Sequence, residues 1–194
     1  MKVIVIPEDF RNDQYVLKPI IKAMFQNLQI PSVTVRVCQD PALGGVAQAL
    51  NFDRIDEIVN RYKGMTDVFL LCIDRDGIPG RRDRLDQIEK HAAASLKSDQ
   101  FFFAENAWQE IEVWALAGHE LPAEWTWRTI REEIHPKEKY FIPFSKKKNL
   151  FDEPGEGRKT LAIEAAGKYK RIKQLCPEDI GNLEAKLQKS LNAI

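Results

Sequence analysis

Two carboxylates, Asp74 and Asp76, stand two positions apart where the apolar run VFLLCID breaks into Asp74-Arg75-Asp76-Gly77. On an extended backbone, side chains at i and i+2 point the same way. The pair therefore converges, and Gly77 permits a sharp turn into the next element. Convergent hard oxygen donors suit Mg²⁺ or Mn²⁺. Two further acids close apolar runs: Glu8 lies just past KVIVIP, and Glu105 follows QFFFA. Carboxylates gathered in one place raise each other's pKa unless a cation sits among them, and a divalent metal removes that cost. The plainer reading is that acids collect where helices begin, because they cap N-termini and complement the helix dipole.

The elements that must position these acids alternate in period. KVIVIP (2–7) is a continuous β-branched run and reads as a buried strand, after which Val16, Ile20, Ile21, Met24 and Phe25 recur at helical spacing and stop before Pro31. SVTVRVCQ (32–39) alternates Val33, Val35 and Val37 as a second strand, and 47–62 is helical with Ile55, Ile58 and Val59 as its apolar face. DVFLLCID is the third strand, and a helix over 81–96 carries Leu85 and Ile88. QFFFA (100–104) is the fourth strand, followed by a helix over 106–117 that carries Trp108, Ile111, Trp114 and Ala115. Strands alternating with such helices predict βαβ crossovers and a mainly parallel, four-stranded Rossmann-like sheet. In such sheets the chemistry collects at the carboxyl ends of the strands.

Beyond Gly118 the pattern turns helical over 122–134, 159–175 and 177–191. Tyr140-Phe141-Ile142 is the one residual strand-like run, and the polar KKKNLFDEPGEG (146–157) is a loop. Residues 1–118 are thus expected to form an α/β core, with 119–194 a helical extension packed on it. On the helix after strand four, at about 100° per residue, Glu112 falls within roughly 20° of Glu105, while Glu110 lies on the other flank of the apolar stripe. Glu112 is therefore the helix acid favoured to join the site, against the reading that both are solvated edge residues.

A chain of 194 residues buries about 70% of the surface its unfolded form exposes, so it needs no disulfide framework. Cys38, Cys72 and Cys176 are odd in number, widely spaced and free of any CxxC pair, which fits reduced thiols in a cytoplasmic protein. Met1-Lys2 leads straight into an apolar run too short for a signal-peptide core, and no run approaches a membrane span. The 29 basic and 29 acidic side chains balance overall, with an acidic excess of four before residue 121 and a basic excess of four after it. That asymmetry admits a nucleic-acid partner held by the C-terminal part, although a dedicated basic footprint is more lopsided.

The acid in IPED, the pair in Asp74-Arg75-Asp76 and the later acidic helix EIEVWALAG (110–118) together resemble the Toprim domain. Within that superfamily the chain looks most like the small stand-alone or ATPase-partnered Toprim proteins of bacterial defence, the class of OLD-type nuclease domains and RloB-like proteins. The resemblance covers residues 1–118. It implies that Glu8, Asp74 and Asp76 bind one or two Mg²⁺ (or Mn²⁺) ions, with Glu105 or Glu112 as the additional acid of nuclease members. The implied activity is phosphodiester hydrolysis of DNA or RNA, as an anti-phage effector working with a partner ATPase. Many Toprim domains carry Gly directly after the first acid, where this chain has Asp9-Phe10. A cation to steady the phosphorane-like charge comes, in that frame, from Lys159 or Arg158, or from Arg75, Arg81, Arg82 and Arg84 beside the acids. The alternative is that all of these are surface charges.

Other signals are weaker. GEGRKT (155–160) fails the phosphate-loop spacing, because Arg158 stands where the second Gly must be. His91, His119 and His135 show no metal-ligand spacing. Tyr169 among Lys168, Lys170, Arg171 and Lys173 reads as a solvated helix face before it reads as a base-stacking platform. A haloacid-dehalogenase-type phosphatase also uses a strand followed by DxDG, but that motif opens its chain, whereas here two strands come first. A DxD glycosyltransferase needs a larger nucleotide-sugar domain. The rival of a different class is a non-catalytic Toprim-like sensor or interaction subunit docked on an ATPase, with Trp108, Trp114, Trp125 and Trp127 partly at the interface rather than in the core.

Overall fold

The computed structural model, which describes residues 1–30 and 32–192, holds one sheet of four strands: β1 (Lys2–Pro7), β2 (Thr34–Val37), β3 (Val68–Asp74) and β4 (Phe101–Ala107). Their order is β2-β1-β3-β4, and every pair is parallel. Parallel neighbours need crossovers, and these cover both faces. Helix α1 (Phe10–Asn27) packs on one face; α3 (Phe52–Tyr62), reached through the short α2 (Val46–Ala49), packs on the other with α4 (Arg81–Ala93). This explains the unbroken apolar runs. Val3, Val5, Leu70 and Cys72 face α1, while Ile4, Ile6, Phe69, Leu71 and Ile73 face α3 and α4. The chain leaves β1 toward β2 and leaves β3 toward β4, so their carboxyl ends flank the point where the strand order reverses. Ligands of open α/β sheets bind in the crevice at that point.

Fold class follows the sequence expectation, and several boundaries differ for identifiable reasons. The expected helix over 47–62 breaks because Asn51 caps α3, accepting from the Asp53 and Arg54 N–H groups at 2.8 and 3.3 Å. β4 does not stop at Ala104 but pairs with β3 through Asp74 opposite Ala107, so Glu105 lies inside a strand and α5 begins only at Glu112 (Glu112–Ala117). Glu105 and Glu112 therefore share no helix, and their expected common azimuth does not arise. Pro31, read as lying just beyond the end of α1, is outside the described residues.

Beyond Gly118 the chain is helical: α6 (Trp127–Glu132), α7 (Ile142–Lys147), α8 (Arg158–Ala166), α9 (Tyr169–Leu175) and α10 (Asn182–Leu191). Helical periodicity predicts this segment except for α7, which takes in Ile142 and the start of the expected 146–157 loop, and the helix expected over 159–175 breaks between Ala166 and Tyr169. Tyr140-Phe141 belongs to a π-helical turn, Lys137–Phe141, and a second such turn spans Pro177–Gly181. A short apolar triplet does not reveal its period. Leu161, Ile172, Ile180, Leu183 and Leu187 join the same buried cluster as β1, α1 and α5, so these helices thicken one face of the sheet. No helix among the described residues is long and apolar enough to cross a membrane.

Backbones approach closely at Gly118, where α5 ends against α8. A Cβ there would run into the Cα and Cβ of Ala165. Gly118→Ala is expected to cost about 1–3 kcal/mol, the range for overpacking a core, read as a lower urea midpoint. Gly64→Ala, whose Cβ meets nothing within 4 Å, is the control, and equal midpoints for the two variants would refute the contact.

Candidate functional site

The end of β3 is held by a residue that sequence reasoning passed over. Gln109, just past β4 and buried, has a left-handed φ of 76°. Its carbonyl accepts the Arg75 and Asp76 N–H groups at 2.7 and 3.2 Å, and its side-chain oxygen accepts the Gly77 N–H at 2.8 Å. The turn it clamps is itself unusual, with φ of 52° at Asp76 and 65° at Gly77. Asp tolerates that region better than most residues and Gly occupies it freely. The Asp74-Arg75-Asp76-Gly77 motif is thus bolted to the β4 exit.

Five acids meet at the β1/β3 crevice. Asp74, partly buried at the end of β3, accepts the Ile111 N–H at 2.8 Å. Burial raises its pKa well above the ordinary range, and the charges of Glu112, Asp13 and Glu8 raise it further. Glu8 is raised by burial and then by Asp76, opposed by the Asp74 backbone and by Arg81. One of its oxygens, Oε2, is buried and accepts no hydrogen bond. Asp13 was not singled out from sequence. It projects from the first turns of α1, accepts the Asp9 N–H at 2.9 Å, and is pushed up to about 7 by burial, with Glu112, Asp9 and Glu8 adding to the shift. Mutual repulsion on this scale marks the acids as one electrostatic unit.

Two arginines, Arg158 and Arg81, border the unit, and a third, Arg75, belongs to the β3 motif but turns to Trp108. Arg158, buried at the start of α8, donates Nε and Nη2 to Glu112 Oε1 at 2.8 and 2.6 Å and Nη1 to Glu156 at 2.7 Å. Arg81 is 4% exposed; its Nη2 lies 3.6 Å from Asp76 Oδ2, and its Nη1 is buried without a partner. Arg75 carries no ion pair among the described residues. Its guanidinium lies 3.9 Å from the centre of the Trp108 ring, whose position is fixed in turn by Asp179, which accepts the Trp108 N–H and the Trp114 Nε1–H at 2.9 and 2.8 Å. Trp114 is fully buried, and Trp127 donates to the Leu175 carbonyl at 2.8 Å, so the tryptophans are used within the molecule.

Of the residues expected from sequence, Glu8, Asp74, Asp76 and Glu112 come together. Glu105 stands apart. It is 2% exposed inside β4, its charge answered by Arg82 Nη1 at 2.6 Å, and burial still lifts its pKa to about 7. Lys159 is exposed and pairs with no acid among the described residues, while its neighbour Arg158 turns inward. Glu110 is buried, accepts the Lys137 N–H at 2.6 Å and is raised to about 7, mainly by burial.

An ion of the Mg²⁺ class fits the crevice by its donor chemistry: all oxygen, strongly negative, with an orphaned buried carboxylate oxygen on Glu8. Glu8, Asp74 and Asp76 do not bring three ligand atoms within 4.8 Å of one another. Mg²⁺ keeps several waters and takes only one or two carboxylates directly, so it does not require three in contact.

Two outcomes follow. Arg158→Met leaves Glu112 buried and unanswered and is expected to destabilise the protein by about 3–5 kcal/mol, with Arg158→Lys recovering part of it in urea melts. Equal stability of Arg158→Met and wild type would show the pair to be dispensable. Second, raised carboxyl pKa values mean that the folded chain binds more protons than the unfolded one between about pH 4 and the folded values. Stability from Asp13, Asp74 and Glu8 is present at low pH and lost as pH rises, through about 7 for Asp13. In EDTA, Asp13→Asn and Asp74→Asn should flatten the fall in Tm between about pH 5 and 8, and added Mg²⁺ should raise Tm more at the upper end. A variant slope matching wild type would contradict the charge crowding.

No protein-family model, curated protein or solved structure matches the chain, so the geometry of the site itself carries the functional argument.

Proposed function

We propose that the β1/β3 crevice is the active site of a divalent-metal-dependent hydrolase of nucleic-acid phosphodiesters. The observation that carries this reading is the convergence of Glu8, Asp13, Asp74, Asp76 and Glu112, in which burial and neighbouring carboxylates raise the pKa of Glu8, Asp13 and Asp74 while Glu8 Oε2 is buried without a partner. A fold that maintains such crowding at its ligand-binding edge has a cation to accommodate. Glu8, Asp74 and Asp76 are the residues to hold it. When bound, Mg²⁺ or Mn²⁺ supplies charge stabilisation at a phosphoryl oxygen and a more acidic water.

The chain's own groups do the rest. Gln109 fixes the Asp74–Gly77 turn, so the acids hold their geometry without substrate. Asp13, at about 7, can exchange a proton with the crevice near neutral pH. Arg75, next to Asp74 and Asp76 in sequence and held on Trp108, pairs with no carboxylate among the described residues, so its guanidinium is free to meet a phosphate charge. Resemblance to the defence-associated Toprim proteins adds a partner ATPase and an anti-phage setting to the same reading.

Purified protein incubated with labelled DNA and RNA should cleave one of them with Mg²⁺ or Mn²⁺ and not in EDTA. Glu8→Ala and Asp74→Ala, folded by circular dichroism, should each lower the rate by about 100-fold or more, the scale for losing one charge-stabilising group. Arg75→Ala should raise KM. Intact DNA and RNA across divalent metals, with an ATPase partner present, would replace hydrolysis by the interaction-subunit reading.

A further inference from the structure

A second cluster of metal-ligating side chains lies outside the acidic crevice. Glu110, His135 and Glu138 each offer one ligand atom, and the three atoms lie within 4.8 Å of one another. Among the described residues it is the one group of three or more His, Cys, Asp or Glu side chains so arranged. His135 and Glu138 are exposed, and Glu110 is 6% exposed.

The donors are held in place without an ion. Glu133 Oε1 accepts the Ile134 and His135 N–H groups at 3.1 and 3.3 Å, and its other oxygen pairs with Lys139, which closes the turn that carries His135 and Glu138. Glu110 Oε2 accepts the Lys137 N–H at 2.6 Å, which fixes the carboxylate and joins the turn to the segment leading into α5. Its Oε1 has no hydrogen-bond partner among the described residues. Glu110, a buried residue whose Oε2 is already oriented by the Lys137 N–H, thus stands with a carboxylate oxygen within 4.8 Å of an imidazole nitrogen and of a second carboxylate. That is the arrangement expected of a ligand whose second oxygen is oriented by a backbone donor.

We propose that Glu110, His135 and Glu138 form a binding site for a Zn²⁺-class ion, separate from the Mg²⁺-type crevice, that ties the Lys137–Phe141 turn to the start of α5. One nitrogen and two carboxylate donors suit Zn²⁺ or a similar borderline ion, because imidazole discriminates against Mg²⁺. Three protein ligands leave the fourth position of a tetrahedral ion to water. The one local competitor is Lys137, whose Nζ lies 3.2 Å from Glu138 Oε1. The ion would displace that ammonium.

Calorimetric titration of EDTA-treated protein with Zn²⁺ alone tests the site. Wild type should bind with an affinity that falls about tenfold or more in His135→Ala and in Glu138→Gln, both surface changes. Binding should persist in Asp74→Asn, tighten in Lys137→Met, and survive millimolar Mg²⁺. Co²⁺-loaded wild type should show d–d absorption bands that disappear in His135→Ala. If wild type takes up no Zn²⁺, if His135→Ala and Glu138→Gln bind it unchanged, or if Asp74→Asn alone abolishes binding, the proposal is overturned. Nucleic-acid cleavage is not read in this test, so an inactive crevice leaves its outcome interpretable.

Discussion

Crowding of like charge at one edge of the sheet is the constraint around which the rest of the molecule is arranged. β1 and β3 are adjacent, parallel and buried on both faces, so their ends cannot splay, and Glu8 and Asp74 are delivered to one crevice. α1 and α5 add Asp13 and Glu112 to the same space. Left to themselves these groups would protonate or separate. The core, closed on both sides by helices, supplies the cohesion that holds them together, and a few directed contacts limit the repulsion: the Ile111 N–H on Asp74, the Asp9 N–H on Asp13, and Arg158 on Glu112.

Those contacts come from distant parts of the chain, which gives the C-terminal helices a role beyond covering the sheet. Arg158 reaches Glu112 from the start of α8, and Gly118 lets α8 approach closely enough for it to do so. Asp179, in the Pro177–Gly181 turn, gathers the Trp108 N–H, the Trp114 indole and Arg131 Nη1. Through Trp108 it seats the Arg75 guanidinium, which stacks on that ring. The last third of the chain therefore shapes the charge distribution of a site whose acids lie in the first two thirds.

The crevice and the Glu110 cluster differ in the ion they suit. Donors that are all oxygen favour a hard ion, which keeps waters and can share its shell with a phosphate. A preorganised set that includes imidazole favours a borderline ion with a fixed structural place. Glu110 and Glu112, two residues apart, are drawn to different partners: one to the Lys137 backbone, the other to Arg158. The charge of Glu112 still reaches Glu110 and helps to raise its pKa.

Asp74 and Glu8 were legible because strand ends are local: an apolar β-branched run marks where a buried strand stops. Asp76 lies beyond the end of β3 in a left-handed turn, φ 52°, so the extended i, i+2 geometry expected of the pair does not hold. The parallel α/β class followed from the same alternation. Glu105 was misplaced within its element because the length of β4 is set by its pairing with β3 and not by its own composition. Asp13, Gln109 and the His135–Glu138 pair were not legible as parts of a site, and Arg158 was only one of several candidate cations. Each takes its role from a partner at least a secondary-structure element away, and Gln109 reaches 32 positions back to Gly77. Sequence alone determined the fold class and the acids that end its central strands, since both are written in local hydrophobic pattern. Tertiary structure decided which charges answer those acids and which donors meet across the C-terminal layer, because electrostatic and ligand geometry depend on distances in space that no local pattern encodes.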